Sequence, residues 1–381
     1  MKFLLITFLS YLMQFSLSAQ NESKPIVILK SSRVDTSIKE VREIVMLYEN
    51  YLNSGPESIY DNPYWNSREK KLYQDFDFSR ASMFKGGMTA NRLSQIFTPF
   101  IMSVEPIGEK YQIRVLFSSP NINPKFAGSK VWCIQKLNAI KENNNWVLEN
   151  LIVELSKKWT TKKVGGIEYL FPPSHDFQVS QANLSIKFCD NIIKRFNPTY
   201  NSLFKYYVTH SIDDMGLFEN FDYYFTGITT GKTRKNMILS AKGKEYYPHE
   251  FVHQLLPHNK NRGYVIDEGL AVFLGTKMDL KEYENSLQKL ACDLKHSSDK
   301  INFTSVVSQK VEFNGYQTAY PAGAAICELI YKTSGDKGLI QLMLANTSDY
   351  ENIVATLLKI TKLPLDKVVK EWNQIVLKYD H

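Results

Sequence analysis

His249-Glu250-Phe251-Val252-His253, followed after a short loop by Asp267-Glu268-Gly269-Leu270-Ala271, are the two segments on which the reading of this chain turns. Pro248 suits the first turn of a helix, where backbone N–H groups have no intrahelical partner to lose, and Pro257 stops that helix near Leu256. Residues four apart share one helix face, with Cβ atoms roughly 5–6 Å apart, so imidazoles 249 and 253 can reach one ion at metal–nitrogen distances of about 2.0–2.1 Å. Glu250 then lies beside that ion as a carboxylate placed to take a proton from water. The pattern leaves a third protein ligand to be supplied from elsewhere.

Spacing separates the candidates for that ligand. His258 comes one residue too early for the three-histidine pattern, which also needs a glycine in the connecting turn where this chain has Leu256. Asp267 is a possible ligand, but it stands where the next helix needs an N-cap. Glu268 is preferred. It would open the first turn of a helix in which Ala271, Val272 and Gly275 follow on neighbouring faces, and small residues there let this helix approach the motif helix closely.

These two segments together resemble the gluzincin peptidases, the group that includes thermolysin and aminopeptidase N, and most closely their peptidase-MA-like branch. The resemblance implies zinc bound by His249, His253 and Glu268, with Glu250 as general base. It continues through Tyr320-Pro321-Ala322-Gly323, leading into a helix that ends Gly335-Asp336-Lys337, and through Leu365 to Trp372, similar to the family's closing helix. In relatives a tyrosine often donates to the oxyanion; Tyr320, just before Pro321, is the candidate here and Tyr316 the reserve. The connecting loop is shorter than in thermolysin, and the aspartate that thermolysin carries four residues beyond its ligand glutamate is Val272 here, so carboxylate support for His249 is unassigned. The implied activity is hydrolysis of peptide bonds; the alternative is a binding or scaffold protein on an inactive gluzincin frame. The strand read over Asn236 to Ser240 is expected to border the cleft and pair with an extended peptide substrate.

At 381 residues the chain is long enough for two domains, and 44% hydrophobic, 13% aromatic and 22% charged residues are ordinary globular proportions. The net charge of +7 is spread over 46 basic and 39 acidic residues. The densest basic run, Lys157 to Lys163, is short and has no accompanying nucleic-acid motif, so it reads as a solvated face. Residues 1–19 resemble a secretory signal peptide: Lys2, an interrupted apolar run from Phe3 to Leu17, then the small Ala19. A later apolar stretch of about 20 residues is absent, so an exported protein without stable membrane insertion after leader removal is expected. Export permits disulfides, and the four cysteines read either as buried free thiols or as containing one bridge, with Cys292 and Cys327 the first pair to test.

The expected fold class is α+β. Residues 20–165 read as an accessory domain: Ile38, Val41, Ile44, Val45, Tyr48 and Leu52 at helical spacing, a second helical patch from Asn91 to Ile101, then alternating strands at Tyr111–Phe117, Lys130–Ile140 and Trp146–Leu155. A helix or two on an antiparallel sheet resembles the SnoaL-like cone. Gly165-Gly166 and Phe171-Pro172-Pro173-Ser174 mark a boundary, and residues 171–381 read as a mostly helical, thermolysin-like catalytic domain. Its helices are expected around Ala182–Phe196, the motif, Glu268 onward, Leu287–Lys295, Pro321–Thr333, Lys337–Ala345, Asn352–Ile360 and Leu365–Tyr379, with a strand at Lys205–Val208.

Overall fold

The computed structural model describes residues 25–54, 62–73, 76–83, 89–122, 128–224, 230–276, 280–308, 312–313 and 316–380; residues 1–19, which resemble a signal peptide in sequence, lie outside them. In chain order the strands of the two larger sheets are β1 (Leu29–Lys30), β2 (Thr98–Ile107), β3 (Lys110–Ser118), β4 (Val131–Glu142), β5 (Asn145–Glu149), β6 (Thr160–Val164), β7 (Ile167–Phe171), β8 (Phe204–Val208), β9 (Phe221–Tyr224), β10 (Gly231–Arg234) and β11 (Met237–Ser240). The fold is mixed α+β, and its contacts divide into two compact units, Met1–Glu154 with Gly216–Gly227, and Leu155–Met215 with Ile228–His381.

In the N-terminal unit the helix Lys39–Asn53 buries Val41, Ile44, Val45, Tyr48 and Leu52 of the stripe its spacing announced, while Ile38 stands at the N-cap and is exposed. These residues share one core with the sheet, where Ile113, Val115 and Phe117 alternate inward along β3 and are fully buried. The sheet runs β1-β2-β3-β4-β5, with β9 also pairing to β4; β1 lies parallel to β2 and the rest are antiparallel. Asn143 and Asn144 both take positive φ at the β4–β5 turn, the backbone that a two-residue hairpin turn demands. The helical patch expected from 91 to 101 is instead a helix, Ala90–Ile96, followed by β2. Thr98 precedes Pro99, whose ring disfavours helical backbone at the residue before it. β5 likewise stops at Glu149, where the Asn150 backbone N–H donates to Glu69 Oε2 at 3.1 Å instead of to a neighbouring strand, and a short helix, Ile152–Ser156, follows.

Gly165-Gly166, read as a domain boundary, is the hairpin turn between β6 and β7 inside the C-terminal unit, with Gly165 at positive φ. That unit holds a sheet of order β10-β11-β8-β7-β6. Its centre, β11, β8 and β7, is parallel, and both flanking strands are antiparallel. Helix Val179–Phe196 makes the crossover from β7 to β8. The remainder is mostly helical, with main helices Pro248–Leu255, Tyr264–Thr276, Leu280–His296, Ala319–Leu344, Tyr350–Thr361 and Leu365–Leu377, and it includes one short antiparallel pair, Glu312–Phe313 with Tyr316–Gln317. The two helices expected on either side of Gly335 form one element broken at that residue, whose φ of 59° only glycine adopts readily. Trp372 is fully buried and donates its indole N–H to Ala322 O at 3.1 Å, tying the closing helix to the long one. All four cysteines are free. Cys292 is exposed while Cys327 is buried, so the bridge between them is not formed. Among the described residues no helix is long and apolar enough to cross a membrane.

Candidate metal centre

The motif helix Pro248–Leu255 begins with its proline at the first position and presents His249 and His253 on one side, their ring centroids 4.9 Å apart. Phe251, Val252 and Leu255 are buried on the other side. The following helix, Tyr264–Thr276, is held against it by a glycine: a Cβ placed on Gly275 would fall 2.9 Å from His249 N. On its opposite side the same helix meets the long helix backbone to backbone, since a Cβ on Gly323 would lie 1.9 Å from Val265 O and one on Gly269 2.3 Å from Gly323 C. Small residues on the second helix were expected to allow close approach, and Gly275 does so.

This packing carries Glu268 to the histidines. His249 Nε2 and His253 Nε2 are 3.3 Å apart, and Glu268 Oε2 lies 3.2 Å from the first and 3.4 Å from the second. Ligand atoms at the corners of a tetrahedron with metal bonds of about 2.0–2.1 Å stand about 3.3–3.4 Å apart. The triangle therefore has the dimensions that a zinc ion requires, and it is the one such group of three among the described residues. All three side chains are about one-seventh exposed, so the group is reached from solvent.

Asp267 does not cap the second helix. That helix starts three residues earlier, at Tyr264, and the Asp267 N–H donates to Gly263 O at 3.0 Å. Freed from capping, its carboxylate takes His253 Nδ1 at 3.1 Å and approaches Arg262 Nε at 3.4 Å. Asp267 thus orients a candidate ligand and is not in the candidate group itself, and the carboxylate support found is for His253, not for His249. His258 is not part of the ligand group.

Electrostatics fit a cation site. Burial alone would raise the Glu268 pKa, but the two imidazoles outweigh it and bring it down to about 2. Burial likewise disfavours a charged His253, yet the hydrogen bonds it donates to Asp267 and Glu268 raise its pKa well above the ordinary value. Two carboxylates and two imidazoles in one pocket thus favour a positive charge among them, which protons or a metal can supply.

Glu250 is 5% exposed and beside the triangle. Its Oε2 accepts from Thr233 Oγ1 at 2.8 Å, and a Cβ on Gly231 would fall 2.5 Å from its Oε1. Both residues belong to β10, so the strand that borders the centre is β10; β11, expected at the edge over Asn236–Ser240, lies between β10 and β8. The sequence Gly231-Lys232-Thr233-Arg234 has no apolar alternation, which is why it was missed.

Tyr320 stacks on His249, ring centroids 5.9 Å apart with 18° between planes. Its hydroxyl lies 3.3 Å from that of Tyr264, which also bonds to Gln317 Oε1. Burial first, then the Glu268 carboxylate, pushes the Tyr320 phenol well above its ordinary pKa, so it stays protonated and can donate. The side chain of Tyr316, the reserve donor, lies outside the described residues. Comparison with protein-family models and with curated proteins finds no match for this chain.

Proposed function

We propose that this protein is an exported zinc metallopeptidase of gluzincin type that hydrolyses peptide bonds with Glu250 as general base. The observation that carries the reading is the near-equal spacing of His249 Nε2, His253 Nε2 and Glu268 Oε2, 3.2–3.4 Å, beside a buried carboxylate that is not one of them. These three residues would hold the ion. A bound zinc supplies Lewis acidity, polarising a carbonyl and lowering the pKa of a water to about 7.

The chain's own groups do the rest. Thr233 fixes the Glu250 carboxylate through Oε2, so that Oε1 is the oxygen left to accept a proton from water and pass it to the departing amine. Tyr320, protonated and stacked against His249, is the donor for the oxyanion of the tetrahedral intermediate. Among the described residues β10 pairs only with β11, and its other edge is the place for an extended peptide to add as a strand.

Metal analysis and digestion of a mixed peptide library test the reading together. Wild type and Glu250→Gln should both retain zinc after dialysis, with turnover reduced about 10²–10⁴-fold in the variant alone. Glu268→Ala should lose the metal. Zinc in the wild type with no cleavage would favour the inactive scaffold instead.

A further inference from the structure

The parallel strands β7, β8 and β11 all end at the same edge of their sheet, and the chain leaving each supplies one residue to a second cluster. His175 follows β7, His210 follows β8, and Glu245 follows β11 on the segment that leads into the motif helix. Edges of this kind, at the carboxyl ends of parallel strands, are where loops converge. The Glu245 side chain is wholly buried. Its Oε1 accepts from Gln178 N at 3.1 Å and stands 2.6 Å from His175 Nε2, while its Oε2 has no hydrogen-bond partner among the described residues.

That carboxylate decides the imidazole's chemistry. An acceptor at Nε2 calls for a proton there, and in a neutral His175 this leaves the lone pair on Nδ1. Nδ1 faces His210 Nε2 at 3.0 Å, and His210 is exposed to solvent. The arrangement repeats that of the first centre, where two imidazole nitrogens face each other at 3.3 Å and a carboxylate holds the remote nitrogen of one ring. A ligand histidine whose other N–H is held by a carboxylate is the usual construction of a metal site.

We infer that His175 Nδ1 and His210 Nε2 form a second, exchangeable site for a divalent transition ion that favours imidazole, such as zinc, copper or nickel, with Glu245 as the orienting carboxylate. Water completes its coordination, so it binds more weakly than the three-ligand centre. An ion there ties the ends of β7 and β8 together and, through Glu245, reaches the segment carrying the motif helix.

Titration of the chelator-stripped full chain with zinc, followed calorimetrically, tests this. The wild type should take up a tight and then a weaker equivalent. His210→Ala should lose the weaker one and keep the tight one, which also reports that the unit is folded; His249→Ala should do the reverse. Copper bound to His249→Ala should show two nitrogen ligands by electron paramagnetic resonance, lost when His210→Ala is added. A single equivalent in the wild type at millimolar free zinc, or a weaker equivalent that survives His210→Ala, overturns the proposal and leaves a hydrogen-bonded carboxylate–imidazole–imidazole chain. Because the two equivalents depend on different residues, failure of this site and failure of the proposed catalytic centre are distinguishable.

Discussion

Each unit holds two shielded carboxylates whose pKa values move, and the two pairs move in opposite directions. In the N-terminal unit Glu69 is fully buried among neutral donors: its Oε2 accepts from Trp65 Nε1, Asn66 Nδ2, Asn150 N and Asn150 Nδ2 at 2.8–3.1 Å. Burial still prevails, and its pKa rises to about 7. Asp77, buried against Tyr51, Ser79 and Arg80, is also raised, desolvation being the largest cause. In the C-terminal unit burial pushes the same way, but Glu268 faces two imidazoles and Glu328 faces Lys378, Tyr283 and Lys332, and both fall to about 2. Desolvation is thus a common cost: two imidazoles outweigh it at Glu268 and two lysines with a tyrosine at Glu328, while the neutral donors around Glu69 and the single Arg80 beside Asp77 do not. Carboxylates of the first kind pin a fold; those of the second kind are kept charged, as a cation site requires.

The strongest way to break this comparison is through pH. A folded-state pKa above the unfolded one means that Glu69 contributes stability below about 4.5 and that this contribution is lost as pH rises through about 7. The full change is about 3 kcal/mol. Urea midpoints of the N-terminal unit should therefore fall between about pH 4.5 and 7.5 in the wild type and fall distinctly less in Glu69→Gln, where Asp77 is still raised. A level wild-type profile would mean that the four N–H donors keep Glu69 ionised after all. Next in size, Asp267→Asn should weaken zinc affinity about 10–100-fold in chelator competition, because His253 loses the group that fixes its ring. An unchanged affinity would show that the carboxylates around the triangle act only as bulk charge.

Thr233→Val removes the hydroxyl on Glu250 and should lower kcat about tenfold with KM little changed, since a hydrogen bond to a charged group contributes about 1.5–3 kcal/mol and part is recovered by water. A pure KM effect would count against Thr233 as a positioning residue. The smallest effect belongs to Glu328→Gln. Its lowered pKa gives stability that is present above about 4.5 and lost as pH falls to about 2, the opposite direction to Glu69. Lys378 and Lys332 are 42% and 53% exposed, so solvent screening limits the loss to about 1 kcal/mol, read as a shallower acid limb in the variant's unfolding profile.

What could be read from sequence follows the range of the interactions concerned. The helix Lys39–Asn53, the β4–β5 hairpin and the motif helix are set by spacing, by Asn-Asn at a turn and by Pro248 at a first position, all within a few residues. The discontinuous N-terminal unit was not legible, because β9 joins β4 only through pairing between Cys133 and Tyr224 and their neighbours, far apart in the chain. The His210 cluster is not legible in the sequence for the same reason: His175 and the Glu245 that holds it arrive on segments that follow other strands of a parallel sheet.

The amino-acid order alone determined that His249 and His253 share a helix face with Glu250 between them, since an i, i+4 relation is a property of helix geometry. It also determined that a helix rich in small residues would bring a glutamate nearby. Tertiary structure decided the rest: that Thr233 of β10 holds the Glu250 carboxylate, that Glu268 closes the triangle, and that Asp267 turns to His253. Those contacts depend on how closely Gly275, Gly269 and Gly323 let three helix backbones approach, and a backbone distance of that kind is fixed by packing in three dimensions, not by any local pattern.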